Sequence, residues 1–210
     1  MHLPYTIFHK KNLEDISKLL ADLTSKEQEG LKKSVYKEIT MKSKSLSESE
    51  RISLVKLMFW SLPDSEKYIY SLLRKMNDPK DFEIHFTIFC FLDQAIERTK
   101  DRKLNQRLLA ATESYLIAVN KDYAHGAWMA GEFLGAHTKP RISLPILKNV
   151  YNVSRHSSGK KAALFGLYRI AQTSKTGTPY KLIKSTSEIE DNRDIQIYAK
   201  NLLEKLEEQL

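Results

Sequence analysis

Three residues of this sequence have types and spacing suited to chemistry. His125, Trp128 and Glu132 stand at i, i+3 and i+7, so a helix would carry them on one face and set an aromatic plate beside a carboxylate. The same residues have a purely structural reading, in which Trp128 packs on the preceding helix and Glu132 pairs with a lysine. The other histidines, at 2, 9, 85, 137 and 156, show no ligand spacing, and the single cysteine, Cys90, cannot build a zinc site. Neither a metal nor a cofactor is expected. The run Ser154-Arg155-His156-Ser157-Ser158-Gly159-Lys160-Lys161 superficially imitates a phosphate loop, but Ser154 replaces its first glycine and Lys161 its magnesium-binding hydroxyl. A helix opening at Lys160 beside Arg155 and Lys161 would still offer amides to an anion. No serine sits on a nucleophile elbow.

Charge is distributed more unevenly than chemistry. The chain has 34 Lys and Arg against 26 Asp and Glu, a formal charge of +8. From Phe133 to Ser187 there is no acidic residue, while Lys139, Arg141, Lys148, Arg155, Lys160, Lys161, Arg169, Lys175, Lys181 and Lys184 are all basic. A surface kept merely soluble mixes its signs. The segment therefore reads as a face for an acidic protein or for nucleic-acid phosphates. Tyr151, Tyr168 and Tyr180, interleaved with the lysines, are available for base stacking, although tyrosines of helical arrays also serve as core edges.

The elements that must position these residues carry an internal repeat of 36 residues. Ala127, Ala130, Gly131 and Leu134 lie at i, i+3, i+4 and i+7; Ala163, Gly166, Leu167 and Ile170 repeat them, and Ala199, Leu202, Leu203 and Leu206 do so again. Ile146-Leu147-Lys148 is answered by Leu182-Ile183-Lys184, each shortly behind prolines (Pro140 and Pro145, then Pro179). The unit is helix, turn, helix, which must stack on its neighbours to bury its apolar face. The small residues predict close helix contacts. Lys139 recurs as Lys175 and Lys148 as Lys184, so each pair forms a rung if stacked helices lie about 8 to 10 Å apart.

Gly126 to Gly135 and Lys160 to Ala171 resemble the small-residue second motif of the HEAT family of helical repeats, a match covering the last part of the chain. The third copy departs from it at Leu202 and Leu203. The resemblance implies a right-handed α-solenoid of ten or eleven helices serving as a binding surface, with no catalytic residues to carry over. Some HEAT-like proteins are DNA glycosylases that hold cationic bases with acidic and aromatic residues, of which His125, Trp128 and Glu132 are a partial echo.

Upstream, Asn12 caps an expected helix through Leu13, Ile16, Leu19 and Leu20. Thr24 or Ser25 opens a second with Leu31, Val35 and Ile39 on one face. Ser47 and Glu50 have capping-box spacing for a third, Asp64 is expected to cap a fourth, and Asp81 to start an apolar helix from Phe82 covered on several sides. Leu104, Leu108, Ala111, Tyr115 and Val119 define one more. The only strand-like run is Tyr5 to Phe8, which is also too short for a signal peptide, and no run approaches a membrane span. Cys90 reads as a buried small hydrophobe in a reducing compartment. The expectation is an all-α, non-enzymatic, cytoplasmic protein, with divergent helices over 1–120 and repeats over 121–210. Its partner is expected to be a protein with an acidic surface (adaptor, inhibitor or immunity type), with nucleic acid, including a glycosylase-like enzyme, as the alternative.

Overall fold

The structure is a computed structural model that describes residue 18 and residues 20–40, 47–61, 64–75, 82–119, 124–174 and 177–208. Tyr5 to Phe8, Asn12, Asp81 and Lys175 lie outside this set. The protein is all-α. Among the described residues ten helices follow one another: α1 (Ser25–Thr40), α2 (Glu48–Ser61), α3 (Glu66–Lys75), α4 (Phe82–Arg98), α5 (Arg102–Ala118), α6 (Ala124–Ala136), α7 (Pro140–Val153), α8 (Ser157–Ser174), α9 (Gly177–Ile189) and α10 (Arg193–Glu207). They fall into two compact units, the division coming between Leu108 and Leu109, within α5.

Local chemistry explains most helix starts. Thr24 and Glu27 form a capping box at α1: the Thr24 amide donates to Glu27 Oε2 (2.9 Å) and the Glu27 amide to Thr24 Oγ1 (3.4 Å). Ser47 and Glu50 repeat it at α2, with 2.7 and 3.4 Å. The Asp101 carboxylate accepts from the Lys103 and Leu104 amides to open α5, and Asn192 accepts from Asp194 and Ile195 to open α10. Asp64 departs from its expected capping role. It adopts a left-handed φ of 54°, a conformation that Asp tolerates. Ser65 starts α3 instead, its carbonyl accepting from Tyr68 and Ile69 and its hydroxyl donating to the Met58 carbonyl.

In the first unit Leu31, Val35 and Ile39 are buried as the spacing predicts. Helix α4 is covered less than expected: Ile88, Phe89, Leu92 and Ala95 are buried, but Cys90, Phe91, Gln94 and Ile96 are half-buried. The 3–4 spacing of one stripe decides its orientation, despite an apolar composition. Burial pushes the Cys90 thiol above its usual pKa, away from thiolate chemistry.

In the second unit α8 packs on α6, α7, α9 and α10, and α9 packs on α10. The α6–α8 contact is close enough to exclude side chains. A Cβ on Gly131 would collide with the Ala162 carbonyl, and one on Gly135 with the Gly166 carbonyl. Burial follows the 36-residue offset: Ser143, Leu147 and Val150 of α7 correspond to Pro179, Ile183 and Thr186 of α9, all buried. Side chains tie the second helices together at nearly the same offset. Asn149 Nδ2 donates to Glu113 Oε1 (2.7 Å) and Ser154 Oγ to the Leu116 carbonyl (3.3 Å), joining α7 to α5. Thr186 Oγ1 donates to the Tyr151 hydroxyl (3.2 Å), joining α9 to α7. Since 149 pairs with 113 and 154 with 116, α5 and α7 run in the same direction.

Candidate binding surface

The basic residues divide according to the helix that carries them. Pro140 at the first position of α7, where its missing N–H is no loss, starts that helix directly behind Lys139. Leu147 and Val150 then turn inward, which leaves Arg141 and Lys148, seven residues apart, on the exposed side. Ile183 does the same for α9, exposing Lys181 and Lys184. Lys148 and Lys184 each directly follow a fully buried residue, Leu147 and Ile183, and so project in the same sense from their helices. Arg155 is exposed in the α7–α8 turn. Lys139, Arg141, Lys148, Arg155, Lys181 and Lys184 make no ion pair among the described residues.

The cations of α8 are engaged within the protein. Lys160 Nζ lies 3.7 Å from Glu190 Oε1 and over the Tyr151 ring (5.4 Å to the centroid). Lys161 Nζ contacts Asp194 Oδ2 at 2.5 Å and lies over the Tyr198 ring. Arg169 Nε is 2.9 Å from Glu132 Oε2, but its N–H is not aimed at that oxygen, so the contact is one of charge more than of hydrogen bonding. The Arg169 guanidinium also donates to Gln172, whose amide donates to the Tyr168 hydroxyl.

One sequence expectation is corrected here. Helix α8 begins at Ser157 instead of Lys160, because Ser154 is tied to the Leu116 carbonyl and Gly159 lies against that same carbonyl. Lys160 is thus one turn inside the helix, facing Glu190. Lys160 and Lys161 close on Glu190 and Asp194, while Arg155 is exposed in the turn before the helix.

The structure sets Trp128 of α6 against α8, two helices on, with its ring centroid 5.1 Å from that of Phe165. Phe165 in turn stacks on Tyr168. Glu132 meets Arg169, and the His125 side chain lies outside the described ones. The plate and the carboxylate therefore share the face expected of them, with the carboxylate already occupied by a cation.

The shortest hydrogen bond at the surface edge runs from the Tyr151 hydroxyl to Glu190 Oε2. Burial pushes Glu190 upward, but the Tyr151 hydroxyl, the Asn192 amide and the Lys160 charge outweigh it and leave its carboxyl below the usual range. Tyr151 is pushed up to about 12, by burial first and by the Glu190 carboxylate second.

The sequence reading missed a row of aliphatic residues. Val153 and Ile189, the last residues of α7 and α9, are 46% and 77% exposed, and the position 36 residues earlier on α5 is Ile117, half-buried. The signal was the same 36-residue spacing, applied to residues that point outward. Among the described residues no three His, Cys, Asp or Glu side chains cluster as a metal site, and no helix is long and apolar enough to cross a membrane. Comparison with family models, curated proteins and solved structures finds nothing that matches this chain.

Proposed function

We propose that this is a non-enzymatic, HEAT-like helical-repeat protein of the cytoplasm, a right-handed α-solenoid whose second helices hold an acidic protein partner as an adaptor, inhibitor or immunity protein would. The observation that carries this reading is the unequal engagement of the cations. Lys160, Lys161 and Arg169 on α8 meet carboxylates of the same chain, whereas Arg141, Lys148, Lys181 and Lys184 on α7 and α9 are exposed. Cations left exposed over an acid-free stretch favour an anionic partner.

Exposed aliphatic side chains on the same two helices, Ile142, Val153 and Ile189, favour protein over nucleic acid. Phosphate contacts gain little from an isoleucine, while a protein interface is anchored by apolar residues within a polar rim. The pairing of Glu132 with Arg169 argues against a glycosylase-like use of that carboxylate.

Titration against labelled single- and double-stranded nucleic acid at about 50 and 200 mM salt tests the choice, beside a Lys148→Glu/Lys184→Glu variant. The expected result is no tight binding at either salt. Tight, steeply salt-dependent binding that the variant loses would overturn the protein reading in favour of the nucleic-acid alternative.

A further inference from the structure

We infer that the partner presents an acidic amphipathic α-helix that lies lengthwise in the furrow between α7 and α9. This rests on the protein-binding reading above and specifies the recognised element and its place.

Contacts with α8 set the walls of the furrow. A Cβ on Gly166 would meet Leu147 and one on Gly159 would meet Ser154, so α7 runs antiparallel to α8. Lys160, near the start of α8, meets Glu190 just past the end of α9, so α9 is antiparallel to α8 as well. Helices α7 and α9 are therefore parallel, and the bond between Thr186 and Tyr151 keeps residues about a repeat length apart level with one another.

Hydrogen bonds also mark the two sides of α7. Tyr151 looks to α9, whereas Asn149, bonded to Glu113, looks to α5. At about 100° per residue, Leu144, Lys148 and Arg141 stand about 20, 60 and 80° from Tyr151 on its solvent side, while Val153 is about 160° away, toward α5. On α9 the residue that looks to α7 is Thr186. Leu182, Ile189 and Thr178 stand about 40, 60 and 80° from it, again on the solvent side.

The furrow so formed has a floor of half-buried Leu144 and Leu182, with exposed Ile189 at its end. Arg141 and Lys148 line its α7 rim, and Lys181 is exposed on the crest of α9, level with the stretch between them. Glu188, two turns further along that crest, closes the cationic stretch. An apolar floor between cationic rims calls for an apolar stripe flanked by carboxylates. Arg141 and Lys148 lie on one line of α7, two turns or about 10.5 Å apart. A helix laid along the furrow returns a side chain to the same face at that interval, at i+7. An extended strand returns one roughly every 7 or 13 Å and falls out of step.

The probe is a fluorescein-labelled, glutamine- and alanine-based peptide of about 21 residues in which leucine recurs every seven residues. Glutamates three and four residues after each leucine flank the stripe on both sides. A scrambled peptide of the same composition is the control, and binding to the full chain is read by fluorescence anisotropy. The patterned peptide is expected to bind at least about tenfold tighter than the scrambled one. Arg141→Glu/Lys148→Glu should lose about tenfold and Ile189→Ser about threefold. Lys200→Glu/Lys205→Glu changes the net charge equally on α10 and should lose less than about threefold. All three variants should keep the parent's helical circular dichroism, since the substituted residues are exposed.

Equal binding of both peptides overturns the helix and leaves an acidic protein partner standing. Equal losses in the two charge-reversed variants overturn the furrow, because net charge then accounts for binding, and so does unchanged affinity in Ile189→Ser. Failure of both peptides overturns the inference, and if nucleic acid binds instead, the protein reading falls with it.

Discussion

Tyr151, Glu190 and Lys160 form the most tightly coupled group beside the proposed surface, and they bind the ends of α7 and α9 to α8. Tyr151→Phe removes a hydrogen bond to a carboxylate whose side chain is 13% exposed, a loss of about 1.5 to 3 kcal/mol at neutral pH. Because the folded state lowers the Glu190 pKa, its contribution is complete above the ordinary carboxylate range and fades as pH falls through it. Urea denaturation should therefore show a smaller penalty for Tyr151→Phe at about pH 3 than at about pH 7. In alkali the sign reverses. Tyr151 holds its proton to about 12 when folded, so its contribution is lost between the ordinary tyrosine value, about 10, and that point. An equal penalty at about pH 3 and 7 would show that Glu190 is not the group involved. The first unit repeats the chemistry: the Tyr68 hydroxyl (2.7 Å) and Lys67 Nζ (2.9 Å) reach Glu29 and pull its carboxyl down to about 2. None of these trios was legible in the sequence, since their members lie about a repeat length apart. The shared face of Trp128 and Glu132 was legible, because i and i+4 are fixed by helix geometry alone. Their partners Phe165 and Arg169 were not.

At the scale of elements, glycine separates two opposite effects of one substitution. Gly30 lies within α1 with nothing near the position of a Cβ. Gly30→Ala should therefore stabilise by about 0.5 to 1 kcal/mol, through helix propensity and a less flexible unfolded chain. Gly131 lies in α6 against the Ala162 carbonyl, where the α-helical backbone of α8 cannot yield without shifting the whole helix. Gly131→Ala should destabilise by about 1 to 3 kcal/mol despite the better propensity. Thermal melts of the two variants check the pair, and stabilisation by Gly131→Ala would mean that α6 and α8 are not in such close contact. The sequence announced this contact through Ala127, Ala130 and Gly131 and their 36-residue echoes. It also announced the Ser47–Glu50 box, because such signals are local. Asp64 was misread because the bond that settles this helix start, from the Ser65 hydroxyl to the Met58 carbonyl, is not local. The start of α8 was misread because Ser154 is tethered to a carbonyl of α5.

For the whole molecule, a formal charge of +8 describes how it approaches an anionic partner more than how it folds. Added salt should weaken the partner complex by screening Arg141, Lys148, Lys181 and Lys184. The length of the acid-free stretch was plain from the sequence; which of its cations remain exposed depended on Glu190, Asp194 and Glu132, all outside it. The same division among lysines governs covalent reactivity. An amine-acylating reagent needs an accessible amine, and a lysine drawn against a carboxylate and a ring of its own chain is the less accessible one. Under limiting reagent, Lys148, Lys181 and Lys184 should be acylated before Lys160 and Lys161, whose side chains are only 26% and 29% exposed. Peptide mapping by mass spectrometry would read that order, and a bound partner should then reduce the signal at Lys148, Lys181 and Lys184.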